Sequence, residues 1–421
     1  MTTLQIIIYE IWNRLRRRPL LLCVILFLCL VPIFGLNILQ VASSEFVSSW
    51  KLGSDQLVLN GIRLRSEDTS LPWGLYGLET ARNQQLGFQG YFYTFMSSVL
   101  GTGYWLFFSA AALFALTIAV FTVQLSKLTN GLFASAFLVT MIGSPWMVSA
   151  SISLYWALWA WMLPLIFAAG TVLTSKRHSQ IILLAGLFAA FAIRFACGYE
   201  FMTSTIIAAA IIPVLFVIFR YRQTRSILWG KVAMQSSAIF VIGLGAFLLI
   251  LLIHANLRGE GNLGEGLNEI FFQDVLRRTY GDPEAFDDIY RTSLTISPFM
   301  VVGRYIFLWQ TDFLVLGYPP VAAIHFGNFS FSLLLMVASS LIAVQLVRKN
   351  PVGFRNAVLY VSTLAIPLSW LILAKGHSWI HTFINFILWY QMFAAAIVFI
   401  IADAAARFIR KKLRARDQLP L

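Results

Sequence analysis

Apolar residues in this chain run on without the three-to-four spacing of a surface helix or the alternation of a half-buried strand. "LLLCVILFLCLVPIFGL", residues 20–36, holds no charged residue at all. Runs of about 20 apolar residues match the thickness of a bilayer's hydrocarbon core. Ten segments of this kind predict helices near 20–40, 91–121, 131–148, 155–174, 180–196, 201–220, 232–255, 328–347, 356–374 and 383–402. Hydrocarbon offers the backbone no hydrogen-bond partners, so each span must satisfy its own groups as a helix. A transmembrane β-barrel would show alternating stretches of about ten residues instead. The expected fold class is therefore an all-α polytopic membrane protein, with a single transmembrane domain over 1–421.

Composition agrees. Of 421 residues, 59% are hydrophobic and 12% charged, with mean hydropathy +0.78. Soluble domains carry about 25% charged residues. "RLRRRP" before the first run and "VAS" after it resemble a signal peptide. The run is longer than the about 7–15 residues of such a segment, which predicts a retained first helix. Cys23, Cys29 and Cys197 all sit in apolar runs and read as small packing residues.

Charge sets the expected orientation. With the amino terminus inside, 20 of the 31 basic residues fall in inside segments, and every short inside loop is basic. Nine of the remaining eleven lie in two long outer segments, about 41–90 and 256–327, where the rule is weak. Both termini are expected in the cytoplasm, and the basic tail 403–421 suits contact with anionic lipid. The net charge of +13 is spread over short loops and a tail, which argues against nucleic acid as a partner.

The chemistry is thus expected at the outer face. The turn "AKGHSWIHT" carries Lys375, His377 and His381, and "IRFACGYEF" carries Arg194, Tyr199 and Glu200. Charges at membrane depth cost about 2.5–3.5 kcal/mol each on insertion scales, so they pair or line a cavity. Arg194 and Glu200 could pair with one another. Arg194, Lys375 and His377, with Arg304 from the second long segment, could instead bind a phosphate. His377 and His381 have helical i, i+4 spacing, but "HSWIH" lacks the glutamate and third ligand of a zinc site. The acids of the first long segment are Glu45, Asp55, Glu67, Asp68 and Glu79. Glu45 follows the first helix, and Glu79 lies among Trp73, Tyr76 and Tyr91, whose rings suit either an interfacial belt or a sugar.

"SSEFVSSW", "QQLGFQGYFYTFMSSVLG" and "TMIGSPWMVSASISLYWALWAWMLPL" resemble elements of the GT-C glycosyltransferases, in the branch of aminoarabinose and protein mannosyl transferases. The pattern covers roughly the first 220 residues, and topology alone the rest. The resemblance departs at Glu45, where the family has an aspartate, and in the helix three–four turn, which lacks the acid many members carry. It implies transfer of a sugar from a polyprenyl-phosphate carrier to a glycan or lipid acceptor at the extracytoplasmic face of a bacterial inner membrane. It further implies Glu45, or Glu79 in its place, as the base; Arg194, Lys375, His377 and Arg304 as phosphate ligands; and Tyr199, Glu200, His381, Trp73 and Tyr91 as sugar-orienting residues. No cofactor is expected, and a divalent metal stays an open alternative. A transporter or flippase, a polymerase of lipid-linked glycans, and a non-catalytic assembly subunit are the rival readings.

Overall fold

A computed structural model describes residues 18–67, 85–224, 229–319 and 321–416. Among them, seven helices are long and apolar enough to cross a membrane. Two bent helix pairs bring the number to nine if each is one span.

Three of the ten expected spans differ from plain helices. The expected 91–121 helix is two helices, Phe88–Leu100 and Tyr104–Leu128. Gly101 ends the first in a left-handed conformation, φ 72°, which glycine adopts without steric cost. The expected 131–148 helix breaks at "GSP": Gly143 closes Gly131–Ile142, Ser144 caps the next helix through Met147 N–H at 3.1 Å, and Pro145 opens Pro145–Ser151. The two halves meet at 69°. The last span breaks too, with Thr382–Gln391 and Phe393–Leu413 at 49°. Leu158–Leu173, the fourth expected span, has 16 residues. At 1.5 Å per residue it rises about 24 Å, short of the about 30 Å hydrocarbon core.

Alternating passes gather the short turns at one end of the bundle and both long segments at the other. At the short-turn end, Asp403 lies between two guanidiniums, bonded to Arg355 and to Arg407 at 3.1 Å, which ties Pro351–Leu373 to Phe393–Arg416. At the looped end the long segments are folded. The first holds helices Ser44–Leu52 and Asp55–Glu67. The second holds Leu263–Glu269, a π-helical turn Ile270–Val275, helices Asp288–Thr295 and Pro298–Phe307, and an antiparallel hairpin, Leu314–Tyr318 with Ala322–Phe326. The hairpin is a small β addition to the expected all-α fold.

That hairpin plugs the first break. Val315 N–H donates to the Gly143 carbonyl at 2.7 Å, satisfying a group the bend strips of its helical partner. Behind it lies an aromatic core. Trp146 packs on Phe386 at 4.7 Å, Trp309 on Phe386 at 4.5 Å, and Phe313 stacks on Tyr390 at 5.5 Å. The 3₁₀ segment Phe386–Gln391 is wholly buried within it, so the second break is also filled by protein.

A Cβ on Gly143 would lie 2.8 Å from both Leu314 Cδ1 and the Val315 carbonyl oxygen. Gly143→Val is expected to lift the hairpin and cost about 1–3 kcal/mol, the usual penalty of overpacking. Thermal unfolding of the detergent-solubilised protein would read it as a lowered midpoint, whereas Gly103→Val, where no atom lies within 4 Å, should change little.

Candidate functional site

The looped end holds a chain of buried polar side chains drawn from four connections. Asp55, fully buried, accepts hydrogen bonds from Ser153 Oγ at 2.7 Å and from the Tyr155 amide at 2.9 Å. With the Gln85 side-chain amide oriented to satisfy its neighbours, the Tyr155 hydroxyl donates to its oxygen at 3.1 Å and its nitrogen donates to Glu200 Oε2 at 3.2 Å. Glu200 Oε1 lies 4.0 Å from Arg278 Nη2. Burial raises the Tyr155 phenol well above its ordinary pKa, with the nearby Glu200 adding to it, so the phenol stays a donor. Gly198 makes the Gln85–Glu200 meeting possible: a Cβ there would come within 2.3 Å of the Gln85 side-chain amide and 2.4 Å of Glu200 Oε2.

Local folding explains Arg194. Its guanidinium turns back on the end of its own helix, donating to the carbonyls of Gly198 at 3.3 Å and Glu200 at 2.5 Å. It therefore caps the Arg177–Cys197 helix. Phe201 takes a left-handed φ of 63°, strained for a bulky residue. Its ring is held among Trp156, Trp161, Trp370 and His377. This contact brings the 198–201 turn against the 374–381 turn. Beside it, Tyr199 bonds His254 Nδ1 at 2.9 Å.

The other expected phosphate ligands are engaged by backbone. Lys375 Nζ donates to the carbonyls of Leu294 at 2.5 Å and Ile296 at 2.9 Å, and sits 4.9 Å from the Tyr280 ring centre. Arg304 donates to the Trp379 carbonyl at 3.4 Å and lies over the Trp379 ring. In return, Tyr305 donates to the Ser378 carbonyl at 2.6 Å and Tyr280 to the Ile372 carbonyl at 2.7 Å. Gly376 allows this close seat, since a Cβ would meet the Arg277 carbonyl at 3.0 Å. His377 and His381 face one another, ring centres 4.5 Å apart. Burial lowers both imidazole pKa values; His381 adds to the effect at His377, and Arg277 and Arg278 disfavour the charged form of each.

Glu45 stands apart from this cluster, exposed in the first turn of Ser44–Leu52, where a carboxylate suits the helix dipole. Tyr91 is half-buried and feels the charge of Arg65. Glu79 and Trp73 lie outside the described residues. Among the described residues, no group of three or more His, Cys, Asp or Glu is placed to hold a metal ion.

Sequence reading singles out none of Arg277, Arg278 and Asp274 as a site residue. Arg258 donates to Glu269 at 2.9 Å and to Asp274, whose second oxygen accepts from Arg277 at 3.2 Å. The "RR" pair in "IFFQDVLRRTYGDP" was the available signal, but the π-turn before it changes which way each residue points. On one side of this ion network opens an apolar groove of about 440 Å³. Phe247, Leu251, Ile270, Phe271 and Leu373 are among its walls, and Tyr199, Asp274 and Arg278 supply its polar groups. On the other side lies a polar pocket of about 540 Å³. No protein-family model matches this chain, and no curated protein or solved structure matches it.

Two outcomes follow from this geometry. Both histidines titrate below the ordinary 6.5 when folded, so unfolding takes up protons as pH falls. Their contribution is intact above about pH 6.5 and is lost as pH drops towards the folded values. Thermal midpoints should fall between about pH 7 and about pH 5, with a shallower slope in His377→Asn/His381→Asn. Separately, Lys375→Ala should lower the thermal midpoint and leave affinity for a lipid phosphate within about twofold, because its ammonium serves two carbonyls. Binding measured in nanodiscs would check the second half.

Proposed function

We propose that this protein is a membrane transferase that takes a sugar from a polyprenyl-phosphate carrier and passes it to a glycan or lipid acceptor at its looped end. The observation that carries the reading is an apolar groove with Arg278 in its lining. A long isoprenoid chain suits walls of Phe247, Leu251, Ile270 and Phe271, and a phosphate suits a guanidinium among such walls. Part of its wall comes from the apolar spans Met202–Arg220, Trp229–Arg258 and Pro351–Leu373, which gives a lipid a route in from the bilayer.

The chemistry asks little of the protein. The acceptor hydroxyl attacks the anomeric carbon, the bond from that carbon to the phosphate oxygen breaks, and the phosphate leaves with the electron pair. Arg278 stabilises the departing charge. The hydroxyl proton goes to a carboxylate. Glu200 takes that role in our reading, being the carboxylate held beside Arg278, in place of Glu45 on its exposed helix. The looped end then faces away from the cytoplasm, as the basic short turns suggest.

The bent spans favour a second reading, a transporter of lipid-linked glycans, because such proteins break helices around their binding sites. Here protein fills both breaks, which weighs towards a static scaffold.

A donor-consumption assay separates the two. The purified protein in nanodiscs would be given labelled polyprenyl-phosphate sugars and an acceptor extract. Free polyprenyl phosphate and labelled product are expected. Arg278→Ala and Glu200→Gln should each lose about 10²-fold or more in kcat, and Glu45→Gln should retain activity. Donor that binds, crosses a vesicle membrane and is never consumed would replace the transferase with the transporter.

A further inference from the structure

Helix Pro298–Phe307 belongs to the second long segment, which the sequence assigns to the aqueous side of the membrane, yet its ten residues include a single charge, Arg304. Val301 and Tyr305 form its buried face. Phe299, Gly303 and Phe307 follow one another at four-residue spacing on a second face, with Met300 at its edge. The three side chains there are exposed, Phe299 to 89% of its surface, and no atom lies within 4 Å of where a Gly303 Cβ would be. Arg304 does not interrupt this face, because its guanidinium is turned onto the Trp379 ring and carbonyl. Left in water, two phenylalanines and a methionine would each forgo about 1.5–3 kcal/mol of burial.

The depth of this face says what covers it. Span Ser330–Val347 has 18 residues and rises about 27 Å, less than the about 30 Å of a hydrocarbon core. Exposed Arg348 and Lys349 follow it directly and belong at headgroup level, so the opposite end cannot stand clear of the hydrocarbon. Ser332, in the first turn of that span, donates to the Ile306 carbonyl at 2.8 Å. This bond holds the end of helix Pro298–Phe307, with exposed Phe307 and Leu308 after it, at the hydrocarbon edge. Phe329, Leu333 and Met336, exposed along one face of the span, continue the apolar surface. The start of the helix is tied to a similar level. The Ile296 carbonyl accepts from Lys375 at 2.9 Å, and Lys375 stands two residues past the 23-residue span Pro351–Leu373. We infer that Pro298–Phe307 is an interfacial helix, lying along the membrane surface with Phe299, Met300 and Phe307 sunk about 5–10 Å into the leaflet at the looped end. The bilayer is its partner, whether the protein is a transferase or a transporter. Through Tyr305 on Ser378 and Arg304 on Trp379, this helix then fixes the 374–381 turn at headgroup depth, the level at which a lipid phosphate already lies.

Photo-crosslinking of the full chain would test it, in nanodiscs of phosphatidylethanolamine and phosphatidylglycerol. The photoreactive residue benzoylphenylalanine would replace Phe299 or Phe307, one at a time. Met336, on the exposed face of span Ser330–Val347, is the lipid-facing reference, and Asp288, its side chain 96% exposed in an ion pair with Arg291, is the aqueous one. All four side chains are exposed, and the melting temperature of each variant would confirm that it folds. Mass spectrometry of the irradiated protein is expected to find lipid adducts at 299 and 307 within about threefold of the yield at 336 and at least about tenfold above that at 288. Yields at 299 and 307 no higher than at 288 would put the helix in water and overturn the inference. So would adducts joining 299 or 307 to a second copy of this chain, which would make the face a protein interface. Because no sugar donor takes part, the result is independent of the donor-consumption assay.

Discussion

Carbonyl groups left over at helix ends, in a bundle packed largely with apolar side chains, govern this structure. Helix Pro351–Leu373 stops just short of Lys375, and the short helix Lys375–Ile380 ends six residues before the 3₁₀ segment starts at Phe386. Each termination leaves backbone oxygens that must be paired within the protein. The second long segment pairs them, through Tyr280 on Ile372, Tyr305 on Ser378 and Arg304 on Trp379. The debt runs both ways, because Lys375 pairs two carbonyls of that same segment. Neither partner has a satisfied backbone alone.

From this exchange follows the placement of the site. Once residues 276–307 are locked on the 374–381 turn, Arg277 and Arg278 stand beside the histidine pair, and Arg278 reaches Glu200. Glu200 is held in turn by the Arg194 cap and by Gln85. The Asp55–Tyr155 contact extends the chain of polar side chains to the first long segment. The cations most conspicuous in the sequence therefore build the frame, and a less conspicuous arginine pair stands where a ligand can reach it.

Hydropathy made most of the helix boundaries legible, since lipid demands long uninterrupted apolar runs. The asymmetry between a short-turn end and a looped end was legible for the same reason. The polar character of the 194–200 and 374–381 turns could also be read. What each polar residue does could not, because the deciding partners are far away in the chain: 81 residues separate Lys375 from Leu294, and 98 separate Asp55 from Ser153. Backbone acceptors are harder still, as every residue offers one and no side-chain type marks the chosen carbonyl. The break at Gly143 had a local signal in Gly-Ser-Pro. An unbroken apolar run across it nevertheless reads as one helix, since hydropathy carries no information about direction.

The Gly143–Val315 hydrogen bond has a consequence for how the protein is made. A ribosome produces the Gly143 carbonyl about 170 residues before its partner amide. Throughout that interval the Gly143 carbonyl lacks the amide that pairs it in the folded protein, and an unpaired backbone oxygen is costly wherever lipid surrounds it. The amino-terminal helices can enter the bilayer in order, but they cannot reach their final packing by themselves. Quality control that samples the chain before the hairpin emerges would meet this carbonyl unpaired in every copy, correct or not. The last third of the polypeptide thus acts as an internal assembly factor for the first.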